Sequence, residues 1–275
     1  MDDLAEVEEL LAVARLAAEA GAAVALEWQD RASSLDIEEK AGPRDLVSRA
    51  DREAEDAIRS VLARLRADDG VLGEEGGTTA GVSGVQWAVD PIDGTTNYLY
   101  GRPDWAVSVA ALRRSDRRLL AGAVAEPVLD RLTLAGAGGG VSGTHVPTAA
   151  AQERAASLEQ VLIEVNFGRE DQKHRAGPMV GALMPHVRDV RRGGSAACAL
   201  AQFATGRVDA VWVPGLQPWD CAAGALLVLE AGGTVGDLAG PTPGTWPRSG
   251  DVLAAAPALW EPLREILATI YDGSV

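Results

Sequence analysis

Two aspartates stand three positions apart at the end of an apolar run. The run Trp87–Asp90 is apolar up to its last residue, and Asp93 follows after Pro91 and Ile92. A proline fixes its own φ and Gly94 allows a positive φ, so the sequence predicts a defined turn at this point. Two carboxylates this close repel each other, and divalent cations bound between them explain the pair most simply. The same dipeptides also occur in ordinary turns, so the pair alone leaves both interpretations open.

The residues that follow this turn favour an anion. Thr95 and Thr96 are expected to begin a short helix. The first backbone N–H groups of a helix have no partner within it and point towards an anion. A carboxylate pair beside a backbone that can bind phosphate is explained most simply by divalent cations held between the two carboxylates.

Three more acidic residues could belong to the same site. Glu74 follows the short apolar pair Val71–Leu72, where a solvated turn is the alternative. Asp220 precedes a run of small residues, where it could instead cap a helix. Asp51 falls on the apolar stripe of a helical pattern over 46–65. A carboxylate on an inward face is costly unless it is paired or hydrogen-bonded, so Asp51 is either a buried cap or ion pair or a functional group.

The composition excludes several classes of function. Lys and Arg number 25 against 40 Asp and Glu, a formal net charge of −15, which disfavours binding to nucleic acid or to an anionic membrane surface. The first hundred residues hold 22 acidic and 9 basic side chains, so the acidity lies mainly there. Two cysteines and three histidines disfavour a zinc site, which leaves oxygen ligands. The acidic N-terminus and the absence of a long apolar run predict a soluble, cytoplasmic protein without a membrane span.

The hydrophobic pattern changes along the chain. Residues 4–27 and 46–65 have apolar spacings of three and four, which predict amphipathic helices. Short β-type runs follow from residue 70 to residue 135 and predict a partly antiparallel sheet. The second half alternates, which indicates α/β layering. Its predicted strands are 161–165, 187–190, 208–213 and 252–255, and its predicted helices are 173–184, 195–204, 221–230 and 258–271.

One glycine motif matches the sequence pattern of a dinucleotide-binding loop. Gly138, Gly140 and Gly143 fit G-x-G-x-x-G, but Pro147 interrupts the helix that should follow. The segment is therefore predicted to be a glycine-rich hairpin or loop. It lies where the two halves of the chain, 1–140 and 141–275, are expected to meet.

Taken in order, the motifs resemble the inositol monophosphatase family of magnesium-dependent phosphatases. The motifs that carry the resemblance are Asp45-Leu-Val-Ser-x-x-Asp51, Gly73-Glu74-Glu75, Asp90-Pro-Ile-Asp-Gly-Thr-Thr-Asn97, Gly194-Ser-Ala-Ala197, Trp219-Asp220-x-x-x-Gly224 and Glu230-Ala-Gly-Gly233. The resemblance covers residues 5–270 and implies a layered αβαβα sandwich. The first half would carry most metal ligands, and the second would carry Asp220 and the substrate-side turn.

The resemblance also implies a set of Mg²⁺ ligands. Glu74, Asp90 and the backbone carbonyl of Ile92 would hold one ion. Asp90, Asp93 and Asp220 would hold a second, and Glu74 could reach a third through water. The reaction implied is hydrolysis of a phosphomonoester by a metal-activated water, which Glu74 would help to position. Hard oxygen ligands and substrate phosphate are what Mg²⁺ prefers.

Further residues match the family's catalytic and substrate-binding positions. Asp51 and Thr95 would share a hydrogen bond and orient the attacking water. The N–H groups of Gly94 and Thr95 would hold the phosphate, with Asp93 and Asp220 also near the substrate. The turn of Gly194, Ser195 and Ala196 would contact the alcohol.

One departure from the family puts the substrate in doubt. Inositol-specific members carry a glutamate seven residues before the Trp-Asp aspartate, and here that position is Val213. Valine cannot accept a hydrogen bond from a ring hydroxyl. Inositol monophosphate, histidinol phosphate, fructose 1,6-bisphosphate and nucleoside phosphates or bisphosphates therefore all stay open as substrates. The resemblance further implies a homodimer and lithium sensitivity, and the rival class is a non-catalytic interaction protein that retains the fold.

Overall fold

A computed structural model describes residues 2–29, 31, 37–42, 45–146, 155–167 and 174–271 of the chain. Its helices are α1 (Asp2–Gln29), α2 (Arg49–Leu65), α3 (Thr95–Leu99), α4 (Ala176–Leu183), α5 (Ala196–Ala204), α6 (Pro218–Glu230) and α7 (Pro257–Tyr271). Its strands are β1 (Ile37–Gly42), β2 (Asp45–Ser48), β3 (Gly70–Gly73), β4 (Gly77–Thr79), β5 (Val85–Asp93), β6 (Ala106–Arg113), β7 (Leu119–Glu126), β8 (Arg131–Gly136), β9 (Val141–Gly143), β10 (Leu162–Val165), β11 (Asp189–Arg191), β12 (Ala210–Val213), β13 (Thr234–Asp237), β14 (Gly240–Pro241) and β15 (Val252–Ala255).

The first large sheet has seven strands in the order β4-β3-β5-β6-β7-β8-β9. Strands β3 and β5 run parallel and the other neighbours are antiparallel. Successive side chains of a strand point to opposite faces. Trp87 and Val89 accordingly pack under α1 and α2, while Ala88 packs on the opposite face of the sheet.

The second large sheet has six strands in the order β11-β10-β12-β15-β13-β14. It is mixed, because β10 runs parallel to β11 and β12 whereas β12 and β15 are antiparallel. The same alternation sorts its side chains. Val211 and Val213 face α5 and α6, and Trp212 faces the cluster formed with α4 and α7.

Five layers result from these two sheets and three pairs of helices. Helices α1 and α2 cover the first sheet, α5 and α6 lie between the two sheets, and α4 and α7 cover the second. Small residues allow the close packing of the middle layer, as in the all-buried run Ala196–Ala201. The predicted αβαβα sandwich is confirmed.

Several predicted boundaries were wrong by a few residues. The helix predicted over 46–65 begins at Arg49, because Asp45–Ser48 pair with β1 as a strand. The helix predicted over 221–230 begins at Pro218, which places Asp220 inside its first turn rather than before it. Proline is favoured at the first helical position, so the sequence held a signal for this earlier start.

The second half shows similar shifts. The helix predicted over 173–184 spans Ala176–Leu183, with Lys173 outside the described residues, and the strand predicted over 187–190 is Asp189–Arg191. Strands β4, β9, β13 and β14 were not predicted, because each is short and carries glycine. The glycine-rich segment is a hairpin, as predicted, since β8 and β9 pair antiparallel around it.

The two large sheets divide the chain close to the expected boundary. The first sheet ends at Gly143, and the second begins at Leu162. One core cluster nevertheless contains residues from both halves, including Ala110 and Ala223. The division at residue 140 therefore stays a prediction. Among the described residues, no helix is both long and apolar enough to cross a membrane.

Candidate active site

Three carboxylates meet at the mouth of a cleft between the layers. Oxygens of Asp90, Asp93 and Asp220 all lie within 4.8 Å of one another. Glu74 lines the same cleft and lies close enough to Asp90 to affect its pKa through charge and hydrogen bonding. The structure thus brings together four acids that the sequence separates by up to 146 positions (220 − 74).

Strand β5 presents Asp90 and Asp93 through an irregularity in its pairing with β6. Asp90 lies opposite Ser108, but Asp93 lies opposite Ala106, so three steps on β5 match two on β6. Such a bulge re-aims side chains at a strand end. The Asp90 Oδ1 atom also accepts a hydrogen bond from the N–H of Ile92 at 3.0 Å. The prediction that the strand ends at Asp90 was wrong, since the bulged strand continues to Asp93.

The start of α5 holds Asp93 in place. Its Oδ2 atom accepts hydrogen bonds from the Ser195 hydroxyl and from the Ala197 N–H, both at 2.6 Å. A carboxylate near a helix N-terminus is stabilised by the unpaired N–H groups there. The contact also fixes α5 to the end of β5.

Asp220 has both of the roles that the sequence left open. In the first turn of α6, its Oδ2 atom accepts a hydrogen bond from the Gln217 N–H at 2.7 Å, which is half of a capping box. The same side chain belongs to the acidic cluster. The Ser108 hydroxyl donates to the Trp219 carbonyl oxygen at 2.9 Å, which joins this turn to the first sheet.

The turn that carries Glu74 is held by Glu55, a residue that was not predicted from the sequence. The carboxylate of Glu55, 1% exposed on α2, accepts hydrogen bonds from the Glu75 N–H at 2.7 Å and the Gly76 N–H at 2.9 Å. Arg59 donates to the same carboxylate at 2.6 Å. A signal was present, because Glu55 and Arg59 follow Asp51 at steps of four on the inward helical stripe.

Burial and mutual repulsion act strongly on the cluster. Burial raises the pKa of Asp90 well above its ordinary value, and the charge of Glu74 raises it further. Burial and the charge of Asp93 likewise raise the pKa of Asp220. Burial raises the pKa of Asp93 to about 6, although the hydrogen bond from Ser195 opposes this.

These acids fit a divalent cation. Among the described residues that line the cleft there is no lysine, arginine or histidine to neutralise them. Carboxylate and carbonyl oxygens are the ligands that Mg²⁺ prefers. Ile92, whose carbonyl the resemblance adds to the ligand set, also lines the cleft.

Thr95 lines the cleft at the start of α3, whereas Asp51, on α2, is not among the described lining residues. Asp51 is 1% exposed, in agreement with its place on the apolar stripe. Burial and the nearby charge of Asp51 raise the pKa of the Tyr98 hydroxyl, which places Asp51 beside α3. Thr95 lines the cleft, and its hydroxyl donates to the Ile92 carbonyl oxygen at 3.3 Å. A hydrogen bond between Thr95 and Asp51 stays a prediction.

Gly94 occupies the position between the acidic cluster and α3. It lines the cleft as the N-cap of α3, with φ at 95°. Only glycine adopts such a φ without strain. This conformation starts α3 at Thr95, as predicted from the sequence.

The predicted substrate-side turn lies beside Asp93. Gly194 and Ala196 line the cleft, whereas Ser195 is 1% exposed and directs its hydroxyl towards Asp93. The Asn97 Nδ2 group bridges the Asp104 and Gly193 carbonyl oxygens at 2.6 and 2.7 Å. This amide, for which the sequence predicted no role, connects α3 to the turn.

The remaining wall was predicted only in part. Val213 lines the cleft, as its position seven residues before Asp220 implied, and Phe167 and Leu216 line it too. Asn166 is the further polar residue on this side. Neither Asn166 nor its aromatic neighbour falls in a recognisable motif, so the sequence alone gave no signal for them.

Comparison with known proteins agrees with this geometry. The model of the inositol monophosphatase family matches residues 6–272. Inositol-1-monophosphatase of Mycobacterium leprae is 40% identical over 240 residues, which span 82% of this chain and 79% of that protein. Nus factor SuhB of Pseudomonas aeruginosa is 34% identical over 243 residues, 85% of this chain and 87% of that one.

A solved structure has the same architecture. The extragenic suppressor protein suhB of Bartonella henselae superposes with a TM-score of 0.84 at 33% identity, over 93% of this chain and 96% of that chain. The family match spans nearly the whole chain and includes every acid of the cluster. The chain therefore belongs to the inositol monophosphatase family.

Proposed function

We propose that this protein is a Mg²⁺-dependent phosphomonoesterase that acts on the phosphate ester of a small alcohol. The observation that carries the proposal is the convergence of Asp90, Asp93 and Asp220 within 4.8 Å, with Glu74 on the same cleft. The cleft volume of about 200 Å³ suits a small substrate, since pockets for drug-sized ligands measure about 300–1,000 Å³.

The ligand assignment follows the family resemblance, and it is supported by the presence of all five residues on the cleft. We assign Glu74, Asp90 and the Ile92 carbonyl to one Mg²⁺, and Asp90, Asp93 and Asp220 to a second, with Glu74 also near a third. When bound, Mg²⁺ neutralises phosphate charge and makes water a stronger nucleophile at neutral pH. The protein contributes the rigid placement of its carboxylates through the bulge of β5 and the first turns of α5 and α6.

Asp51 and Thr95 are assigned to the attacking water. The Thr95 hydroxyl would orient that water, and Asp51, buried behind α3, would accept the proton that passes through the hydroxyl. The N–H groups of Gly94 and Thr95 would donate to the phosphate oxygens. Gly94 and Thr95 support this role because both line the cleft beside Asp93.

The activity is tested by phosphate release in Mg²⁺ and in EDTA. The substrates are inositol 1-phosphate, histidinol phosphate, fructose 1,6-bisphosphate, a nucleoside phosphate and a nucleoside bisphosphate. Asp90→Asn and Asp220→Asn should abolish release and weaken Mg²⁺ binding while circular dichroism stays native. Asp116→Asn is the matched control, because Asp116 is an exposed acid paired with Arg113. Full activity in either cluster variant would refute the metal assignment.

A second candidate is a protein-binding role without catalysis. It is favoured by one observation, the similarity to a relative that is named a Nus factor. The two candidates differ in the assay above, since a non-catalytic protein releases no phosphate in Mg²⁺ from any substrate.

We further propose that the protein is a homodimer and that lithium inhibits it. Light scattering tests the first proposal, and titration of Li⁺ into the phosphate-release assay tests the second.

A further inference from the structure

The cleft has two halves of opposite chemistry. The four acids and Thr95 form one half. The other half is lined by the apolar side chains of Phe167, Val213 and Leu216. Asn166 is the one polar side chain among the described residues that line this second half. The alcohol part of a phosphate ester bound at the acids would lie against this second half.

Three hydrogen bonds fix the side-chain amide of Asn166. Its Nδ2 group donates to Glu164 Oε1 at 2.9 Å and to the Ser195 carbonyl oxygen at 3.2 Å. Its Oδ1 atom accepts from the Gly194 N–H at 2.7 Å. A side-chain amide has two N–H donors and two oxygen lone pairs. Among the described residues, both donors are therefore used and one acceptor position of Oδ1 has no partner, so it can accept from a ligand.

The donors of the neighbouring turn are also used within the protein. The Gly194 N–H is bound to Asn166, and the N–H groups of Ala196 and Ala197 are directed at Asp93. The Ser195 hydroxyl donates to Asp93 and accepts from the Cys198 N–H at 3.1 Å. Among the described residues, the side chains on the alcohol side of the cleft therefore offer a ligand one fixed amide oxygen and an apolar wall.

Val213 and Leu216 are firmly placed in that wall. Val213 ends β12 opposite Val252 of β15 and is 1% exposed. Leu216 is held by a hydrogen bond from its N–H to the Gly250 carbonyl oxygen at 2.7 Å. Several hydroxyls buried against these side chains would lose their water without gaining partners, which is unfavourable.

From this arrangement, and resting on the proposed phosphatase function, we propose that Asn166 determines substrate specificity. The preferred leaving alcohol is a largely apolar ring or chain that carries one hydroxyl beside the ester oxygen. Asn166 Oδ1 accepts a hydrogen bond from that hydroxyl, while C–H surface contacts Phe167 and Val213. A fully hydroxylated cyclitol phosphate is a poorer substrate, because on the alcohol side the described residues supply one side-chain acceptor, Asn166, for its several donors.

Three phosphate esters of one six-membered ring test this proposal. They are cyclohexyl phosphate, trans-2-hydroxycyclohexyl phosphate and myo-inositol 1-phosphate, compared by kcat/KM with Mg²⁺. The monohydroxylated ester should exceed the inositol ester at least about ten-fold. An inositol ester hydrolysed as well as or better than the monohydroxylated one would overturn the specificity proposal and leave the phosphatase proposal intact. No Mg²⁺-dependent release from any of the three, or from glycerol 2-phosphate, would overturn both.

Variants separate recognition by Asn166 from its structural role. Asn166→Ala should bring the kcat/KM ratio of the monohydroxylated to the unsubstituted ester close to one, whereas a purely structural role would lower both values and keep the ratio. Glu164→Gln is the control, since glutamine keeps an oxygen that accepts from the Asn166 amide, and the kcat/KM ratio should persist.

Val213→Glu tests the apolar wall. It adds an acceptor and should raise kcat/KM for the inositol ester, relative to that for the monohydroxylated ester, about ten-fold. If Val213→Glu does not fold, the Asn166→Ala ratio and the wild-type series still decide the outcome.

Discussion

The Ser195 hydroxyl donates to Asp93 Oδ2 at 2.6 Å, and its oxygen accepts from the Cys198 N–H at 3.1 Å. One side chain therefore caps α5 and orients a carboxylate of the acidic cluster. Ser195 is 1% exposed, so water cannot easily replace either bond. The stability of the middle helical layer and the geometry of the cluster are linked through this hydroxyl.

Replacing Ser195 should consequently affect two measurable properties. We expect Ser195→Ala to weaken Mg²⁺ binding about 10- to 100-fold, as loss of a hydrogen bond to a metal ligand does elsewhere. Loss of the N-cap should lower the free energy of unfolding by about 1 kcal/mol. Calorimetric titration with Mg²⁺ and urea unfolding measure the two effects.

Thr205 provides a matched control on the same helix. It is 3% exposed at the opposite end of α5, where its hydroxyl donates to the Ala201 carbonyl oxygen at 2.9 Å. Thr205→Ala should lower stability without changing the affinity for Mg²⁺. Equal Mg²⁺ affinities for Ser195→Ala and the wild type would contradict the proposed link.

The acidic cluster should make the metal-free protein less stable as the pH rises. Burial raises the pKa of Asp93 from 3.8 to about 6, and the pKa values of Asp90 and Asp220 are also raised. Protonated Asp93 is therefore favoured in the folded state. Its stabilising contribution is complete below the unfolded pKa and is lost as the pH rises through about 6. Thermal melts in EDTA from about pH 5 to about pH 7.5 should show this loss.

Mg²⁺ should counteract that loss, because it binds the ionised carboxylates. The increase in Tm caused by saturating Mg²⁺ should be larger at about pH 7.5 than at about pH 5. Asp93→Asn is the control, since an amide does not titrate and the variant should lose much of the pH dependence in EDTA. A metal-free wild type equally stable across this range would show that the cluster is less strained than its burial implies.

The turn that carries Glu74 should depend on Glu55. Glu55→Ala would leave the Glu75 and Gly76 N–H groups without the carboxylate that now accepts from them. We expect the free energy of unfolding to fall by about 1.5–3 kcal/mol, the contribution of a hydrogen bond to a charged group. Mg²⁺ affinity should also fall, because Glu74 loses its support. Urea unfolding and Mg²⁺ titration give both values.

The variant Glu55→Gln shows whether Glu55 acts through its hydrogen bonds to the turn that carries Glu74 or only through its packing. Glu55→Gln fills the same volume and keeps one acceptor oxygen, so it should retain part of the Mg²⁺ affinity that the alanine variant loses. If both variants bind Mg²⁺ like the wild type, Glu55 has a structural role alone.

The acids of the site were easier to predict from the sequence than the residues that support them. Asp90 and Asp93 stand in a dense motif, and the apolar stripe of α2 predicted an inward-facing Asp51, which is indeed buried. The order of helical and strand patterns predicted the α/β layering of the second half, and the family resemblance implied the five-layer sandwich. These features are local in sequence, so periodicity and spacing describe them well.

The residues that support the site come from long-range contacts. Asn166 contacts Gly194, 28 positions away, and Glu55 contacts the N–H of Glu75, 20 positions away. No local pattern indicates such pairs. The β5 bulge was missed for a similar reason, since it is defined by the register against β6. Short strands with glycine, such as β13, lack the alternation from which strands are predicted.

Gly224, the last residue of the Trp-Asp motif, allows α5 and α6 to approach closely. A Cβ atom at this position would lie 2.5 Å from the Leu200 Cβ and 2.6 Å from its Cδ1. We expect Gly224→Ala to lower the free energy of unfolding by about 1–3 kcal/mol through overpacking. Displacement of α6 should also weaken Mg²⁺ binding, because Asp220 lies one turn earlier.

Gly181→Ala is the control for Gly224→Ala. Gly181 lies in an exposed part of α4, where an added Cβ meets nothing within 4 Å, so the substitution should raise the free energy of unfolding by about 0.4–1 kcal/mol. Urea unfolding of both variants measures the contrast, and a Gly224→Ala protein as stable as Gly181→Ala would show that the two helices separate without cost.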